Sequence, residues 1–275
     1  MSESIEAAGR QRTFTVVGEQ EGPPGRALLL VFHGSKQDGA AHRRFTGQMY
    51  DALAADAQAV VVYLDGYQGN WNDARKQSFF PARMEGVDDV AFVRAVVDRL
   101  VAGWGVDRAR IVAVGYSNGG QMVLRLLHEV PDLLAGAAVV SATMPAPGSF
   151  RTDISQPSAV PVPVVLAHGT KDRIAPFDGG TMSGLMRRVF KVGGTTLSAP
   201  ETAAYFAQRN GITTPPTQRS NGDVERVEYA ELDRASVTLL TVSGGGHTVP
   251  GPKRAPFLLG RTARGCRWPT RSLGY

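Results

Sequence analysis

Cysteine is nearly missing from this 275-residue chain: a single one, Cys266, stands close to the C-terminal end. One thiol makes no internal disulfide framework and no thiolate metal cluster, so neither can hold the fold together. Long apolar runs are missing too. Nothing approaches the run of about 18 apolar residues that a membrane-spanning helix needs, and no membrane partner is expected. The opening stretch "MSESIEAAGRQRTF" is polar and has no apolar core of a secretory signal, which predicts a cytoplasmic protein. Acidic residues are missing altogether after Asp233, whereas Lys253, Arg254, Arg261, Arg264, Arg267 and Arg271 all follow it. The net charge of +5 therefore belongs to the tail, and without those six residues its sign would reverse. Nucleic-acid binding calls for a basic stripe on a folded face with aromatics interleaved. A basic terminus facing solvent is not that, so no nucleic-acid partner is expected. Internal repeats and low-complexity linkers are absent as well. Residues 1–275 thus read as one domain, with 1–12 and 262–275 as irregular tails.

What is present is an alternation of apolar strands and helix-like segments. Hydrophobic residues make up 43% of the chain, enough for one sizeable core. "ALLLVFHG" (27–34), "QAVVVYLDG" (58–66), "RIVAVG" (110–115), "LAGAAVVSA" and "VPVVLAHGT" are continuous apolar runs, as strands buried on both faces of a parallel sheet must be. "TFTVVG" (13–18) alternates like an edge strand, and "RVEYAEL" with "ASVTLLTVSGGGH" reads as a closing strand pair. Between them, 41–57, "VDDVAFVRAVVDRLVAG", "NGGQMVLRLLHEV" and "APETAAYFAQRNG" have helical character. Such alternation predicts an α/β fold, a mostly parallel central sheet with helices on both faces. Two segments stand outside it: a long connection over 66–86, and a Gly/Pro-rich region around 142–161.

The chemistry-bearing motif is Gly115-Tyr116-Ser117-Asn118-Gly119, placed between a buried strand and a helix. A G-x-S-x-G at that junction is a nucleophile elbow. The turn is so sharp that the residues two before and two after the serine crowd each other, and glycine removes the Cβ atoms that would clash. The serine is then held in a strained conformation above the sheet, with a helix N-terminus behind it.

A serine hydroxyl needs a base. His42 and His128 fall in helical stretches, and His33 and His168 end strands, where hydrogen-bonded structural roles suit them. His247 follows a strand and three glycines near the end of the chain. In an elbow-type hydrolase the chain order is serine, acid, histidine. That order selects His247 as base. Asp172, just past the strand "VPVVLAHG", is then the acid, and Asp178 in the same loop is the second candidate. Backbone amides of Asn118, after the nucleophile, and of Ser35, in the loop "HGSKQDG", are placed to form an oxyanion hole.

These segments together resemble a known family. "FHGSKQDG", "LDGYQGNWND", "VDDVAFVRAVVDRL", "GYSNGG", "HGTKDRIAPFDGG" and "GGGHTVPG" occur in the order seen in the polyhydroxybutyrate depolymerase-like and feruloyl esterase-like (LpqC-type) α/β-hydrolases. The resemblance implies an α/β-hydrolase fold and hydrolysis of carboxylic esters, such as feruloyl, acetyl or hydroxybutyrate-oligomer esters, through an acyl-serine. It carries Ser117, Asp172, His247, Ser35 and Asn118 over to those roles and requires no cofactor or metal. The expected partner is a small-molecule or oligomeric ester. Three departures from the pattern stand out. Ser35 replaces a cysteine common in the family, Val249 replaces a tryptophan, and "GCRWPTRSLGY" lacks the period of a terminal helix. Tyr67 and Trp71, in the long connection, are candidates to line the acyl pocket, Trp71 equally to pack the loop. A peptidase or amidase on the same fold, and a non-catalytic binding protein, are the competing readings, and the elbow alone does not separate ester from amide chemistry.

Overall fold

The computed structural model of the chain describes residues 1–55, 58–151, 160–181, 184, 187 and 192–263. The first elements are β1 (Ser2–Ala7), β2 (Arg10–Val17) and β3 (Arg26–Phe32), then helices α1 (Gly39–Phe45) and α2 (Ala52–Ala55) and strand β4 (Ala59–Leu64). Helices α3 (Pro81–Met84) and α4 (Asp89–Gly103) precede β5 (Val106–Tyr116), which runs into α5 (Asn118–Glu129). Strands β6 (Gly136–Val140), β7 (Val164–Gly169), β8 (Gly180–Thr181) and β9 (Thr195–Thr196) are followed by α6 (Ala199–Arg209). Strands β10 (Thr217–Asn221), β11 (Val224–Tyr229) and β12 (Val237–Val242) complete the order.

Ten of these strands form one sheet in the order β1-β2-β4-β3-β5-β6-β7-β12-β11-β10. The six central strands, β4 to β12, are mutually parallel, and both margins are antiparallel. The centre is parallel because β3, β4, β6, β7 and β12 are apolar at nearly every position and buried throughout, so each can be covered on both faces. Leu28, Leu30 and Phe32 of β3 face one core with Phe92, Leu124 and Phe206 from α4, α5 and α6. Leu29 and Val31 face the other, covered by Phe45 and Leu53 from the two short helices α1 and α2 and by Val249. Among the described residues no helix is long and apolar enough to cross a membrane.

The structure corrects the reading of residues 1–12 as an irregular tail. Ser2–Ala7 pairs along its whole length with β2 across a two-residue turn, Ala8 and Gly9, both at positive φ (48° and 72°). That is a two-residue hairpin loop whose twist suits antiparallel strands. Beyond it, Arg12 donates to Asp89 at 2.8 Å and to the Asp65 carbonyl at 3.0 Å, both partners of this ion pair being buried. The first strands are thereby tied to α4 by a pair whose disruption would leave a buried charge. Asp88, not Asp89, caps α4, accepting from the Ala91 amide.

The single helix expected over 41–57 is divided into α1 and α2. Thr46 donates its hydroxyl to the His42 carbonyl, and Gly47 and Gln48 then enter the left-handed region (φ 67° and 60°), which no helix tolerates. The C-terminal tail expected from 262 falls outside the described residues after Ala263, as does much of the Gly/Pro-rich region, at 152–159.

Candidate active site

Strand β5 stops at Tyr116, and α5 begins two residues later. Between them Ser117 has φ 54° and ψ −115°, a conformation few side chains adopt. The flanking glycines make the turn possible. A Cβ on Gly115 would sit 2.2 Å from the Gly119 carbonyl oxygen, and one on Gly119 would sit 2.3 Å from the Phe32 carbonyl oxygen. Both obstacles are backbone and cannot swing aside. Gly119→Ala is expected to destabilise the protein by about 1–3 kcal/mol or more, as overpacking of a tight core does. Chemical denaturation measures it, and an unchanged midpoint would show that the elbow is looser than these distances say.

Topology brings the other two groups to the same edge. Strands β7 and β12 are neighbours, parallel and in register from Val164↔Val237 to Gly169↔Val242. Their carboxyl ends therefore emerge side by side, and ligands of open α/β sheets bind beyond those ends. Asp172 comes three residues after β7 and His247 five after β12. His247 Nδ1 lies 2.7 Å from Asp172 Oδ2, and its Nε2 lies 2.8 Å from Ser117 Oγ. A carboxylate only accepts, so Nδ1 carries the proton and Nε2 receives the serine O–H. The acid is fixed in turn: its Oδ1 accepts from the amides of Ile174 at 2.9 Å and Ala175 at 2.8 Å. Burial pushes the Asp172 carboxyl upward, but the charge and hydrogen bond of His247, with His168 and the Ala175 amide, outweigh it and hold it below its usual value. Asp178 is exposed and makes no contact with His247.

The remaining histidines serve packing. His33 donates from Nδ1 to the Gly34 carbonyl and accepts from the Gly66 amide at 2.8 Å, and burial lowers its pKa. His168 donates to the Ala175 carbonyl at 2.7 Å beside Asp172, and burial again lowers its pKa. His128, lowered to about 4 by burial, bridges Leu124 and Tyr205. His42, lowered to about 3 by burial, stacks on Phe45 and Tyr116.

Ser35 and Asn118 line the same cleft as Ser117 and His247. Asn118 is the first residue of α5, so its N–H has no carbonyl one turn back within the helix. Its side chain is locked: Oδ1 accepts from the Trp71 amide at 2.9 Å, and Nδ2 donates to Asp73. Ser35 is held by the turn in which the Gly34 amide donates to Gln37 and the Lys36 amide to the Gly69 carbonyl.

Trp71 and Tyr67 do not line the cleft. Trp71 is fully enclosed, its indole N–H donating to the His33 carbonyl at 3.0 Å and its ring edge-on to Phe32. Tyr67 donates to Glu85 on the surface and lies under the Arg10 guanidinium. The walls come instead from Arg75 and Phe80, further along that connection, and from Ile174 and Val192. Sequence reasoning also missed Tyr116, whose hydroxyl donates to the His247 carbonyl at 2.8 Å and anchors the loop carrying that imidazole. In G-x-S-x-G this position is unspecified, so nothing in the motif points to it.

A hydroxyl bonded to an imidazole nitrogen that accepts, the imidazole itself bonded to a carboxylate, can pass its proton to that imidazole as it attacks a carbonyl carbon. The known proteins that this chain resembles include several named as esterases. Residues 55–193 match the family described as phospholipase/carboxylesterase. NocK of Nocardia uniformis subsp. tsuyamanensis, a protein named as an esterase, is 32% identical over 94% of this chain and 77% of its own. Feruloyl esterase B of Piromyces equi is 27% identical over 80% of this chain, which spans 39% of that longer enzyme. Among solved structures, acetyl xylan esterase from Aspergillus awamori superposes with a TM-score of 0.63 over 91% of this chain and 95% of its own, at 15% identity. That last likeness is one of fold.

Proposed function

The chain belongs to the phospholipase/carboxylesterase family and is a carboxylic ester hydrolase of the serine class, and on that premise we propose that Ser117 is its nucleophile, His247 its base and Asp172 the acid that orients the base. The observation that carries this reading is the unbroken series of hydrogen bonds, 2.7 Å from Asp172 to His247 and 2.8 Å from His247 to Ser117, at a strained elbow. His247 takes the serine proton as Oγ attacks. The tetrahedral oxyanion rests on the amides of Ser35 and Asn118. His247 then returns the proton to the departing alcohol, and water resolves the acyl-serine by the same steps in reverse.

The cleft supports a short acyl group. Its volume is about 40 Å³, against the roughly 150 Å³ of an apolar cavity that takes up benzene. An acetyl methyl fits there, whereas a feruloyl chain would have to displace Phe80 or Val192. Rates for 4-nitrophenyl esters of increasing acyl length test this. Each misfitting methylene is worth about 1–3 kcal/mol of transition-state binding, so kcat/KM is expected to be highest for acetate and to fall at least about tenfold by hexanoate. A series rising with length would overturn the short-acyl reading. No turnover of any member would overturn the assignment of the site.

A further inference from the structure

Two cavities meet at His247. One is the cleft of about 40 Å³ that also contains Ser117, Ser35 and Asn118. The other, about 870 Å³, is walled by residues 254, 255 and 257–263 together with Lys171 and Arg173. Among the described residues only His247 and Ile174 line both.

Chemistry decides which half of an ester enters each. The acyl carbon bonds to Ser117 Oγ and its oxygen lies on the Ser35 and Asn118 amides, so the acyl half occupies the cleft those groups line. The leaving oxygen receives its proton from His247, so the alcohol half lies against the imidazole, where the larger cavity begins. We propose that this cavity is the alcohol subsite and that the alcohol it takes is a bulky, ring-bearing anion. The inference rests on the serine esterase reading above and adds the substrate's second half to it.

Size follows from the two volumes. Charge follows from the lining. Lys171, Arg173, Arg254 and Arg261 face the cavity against one carboxylate, Asp223. That carboxylate is already paired with Arg261, which also donates to the Ser243 carbonyl. Lys171, Arg173 and Arg254 have no ionic partner among the described residues. A low-dielectric wall lined by one sign of charge concentrates ligands of the other sign. The ring follows from the apolar rim: Phe257 and Leu258 are 96% and 94% exposed beside these cations. Exposed apolar side chains next to cations that have no ionic partner among the described residues suit a ligand that is planar and apolar in its body and negative at its end.

The test uses 4-acetoxybenzoate and 4-acetoxybenzamide, which share the acyl group and the ring and differ only in charge on the alcohol half. The ratio of kcat/KM, anionic over neutral, is expected to fall about tenfold between about 20 mM and 500 mM salt, because exposed charges are screened. It is expected to fall at least as far in the double variant Arg173→Glu/Arg254→Glu, with the change in KM. Binding of the products, 4-hydroxybenzoate and 4-hydroxybenzamide, followed by calorimetry, reads the cavity without turnover. Tighter binding of the benzoate that is lost in the double variant supports the anionic site even if neither ester is hydrolysed, a result that would count against Ser117 alone. Equal binding of the two products, or a rate ratio untouched by charge reversal, overturns the proposal.

Discussion

Ser117→Ala is expected to lower kcat for 4-nitrophenyl acetate by about 10⁶-fold, the scale on which serine hydrolases lose activity when the nucleophile is removed. Only one heavy atom disappears, and on the proposed assignment it is the atom to which the acyl group bonds. His247 keeps its bond to Asp172 and its loop keeps the Tyr116 anchor, so base and acid stay where they are. A residual rate of about 10³–10⁴ over water is expected from the oxyanion amides and substrate binding. The fold should survive. The backbone at φ 54° is imposed by Gly115 and Gly119 on either side, not by the hydroxyl. The lone pair left on buried His247 Nε2 costs at most about 1–3 kcal/mol, and a water entering the small cleft can recover part of that. Kinetics with a serine-directed fluorophosphonate, read beside a thermal melt, check both halves. Turnover within tenfold of the parent, or continued labelling, would place the nucleophile elsewhere.

How much of this was legible beforehand depends on how local the causes are. The parallel sheet was readable because strands buried on both faces are apolar at every position, a property of each segment by itself. Ser117, Asp172 and His247 were readable as candidates because each follows a strand, and the parallel strands β5, β7 and β12 all end on one edge. The aromatics of the long connection were not. Whether Trp71 turns inward or lines the cleft depends on the His33 carbonyl and on Phe32, nearly forty residues earlier, and on the Asn118 side chain that holds its amide. Arg75 reaches the cleft beside Asp73, two residues earlier, which is itself held by the Asn118 side chain 45 residues further on. The first strand was missed because "SESIEA" offers one large apolar residue, Ile5, and its turn is Ala-Gly where Asn-Gly or Asp-Gly would have announced a hairpin. The divided helix turned on two left-handed residues, Gly47 and Gln48, within a run otherwise made mostly of helix formers.

Asp172→Asn is expected to cost about 10⁴ in kcat while leaving the geometry almost untouched. The direction comes from the two amides behind the acid. Ile174 and Ala175 both donate to Oδ1, so the asparagine must present its carbonyl oxygen to them and its NH₂ to His247. Facing a donor, His247 Nδ1 can only accept, and the imidazole proton moves to Nε2. Nε2 then points an N–H at Ser117 Oγ, where a lone pair is required, and the hydroxyl cannot be deprotonated. Loss of the imidazole Nδ1 proton resonance, with kcat reduced and KM little changed, is the expected signature. A variant retaining more than about a tenth of the parent kcat would show that the acid does not set the tautomer. Stability responds to pH in a definite sense. The carboxyl is held below its ordinary value of 3.8, chiefly by His247 acting against burial. A depressed acid contributes stability that is fully present above the unfolded value and lost as pH falls through the folded one. The parent should therefore lose stability relative to Asp172→Asn as pH drops below 3.8, and denaturation midpoints of the two proteins should converge on acidification. Curves that run parallel down to low pH would mean that the carboxylate gains nothing from the imidazole it faces, and the series linking residues 172, 247 and 117 would have no energetic basis.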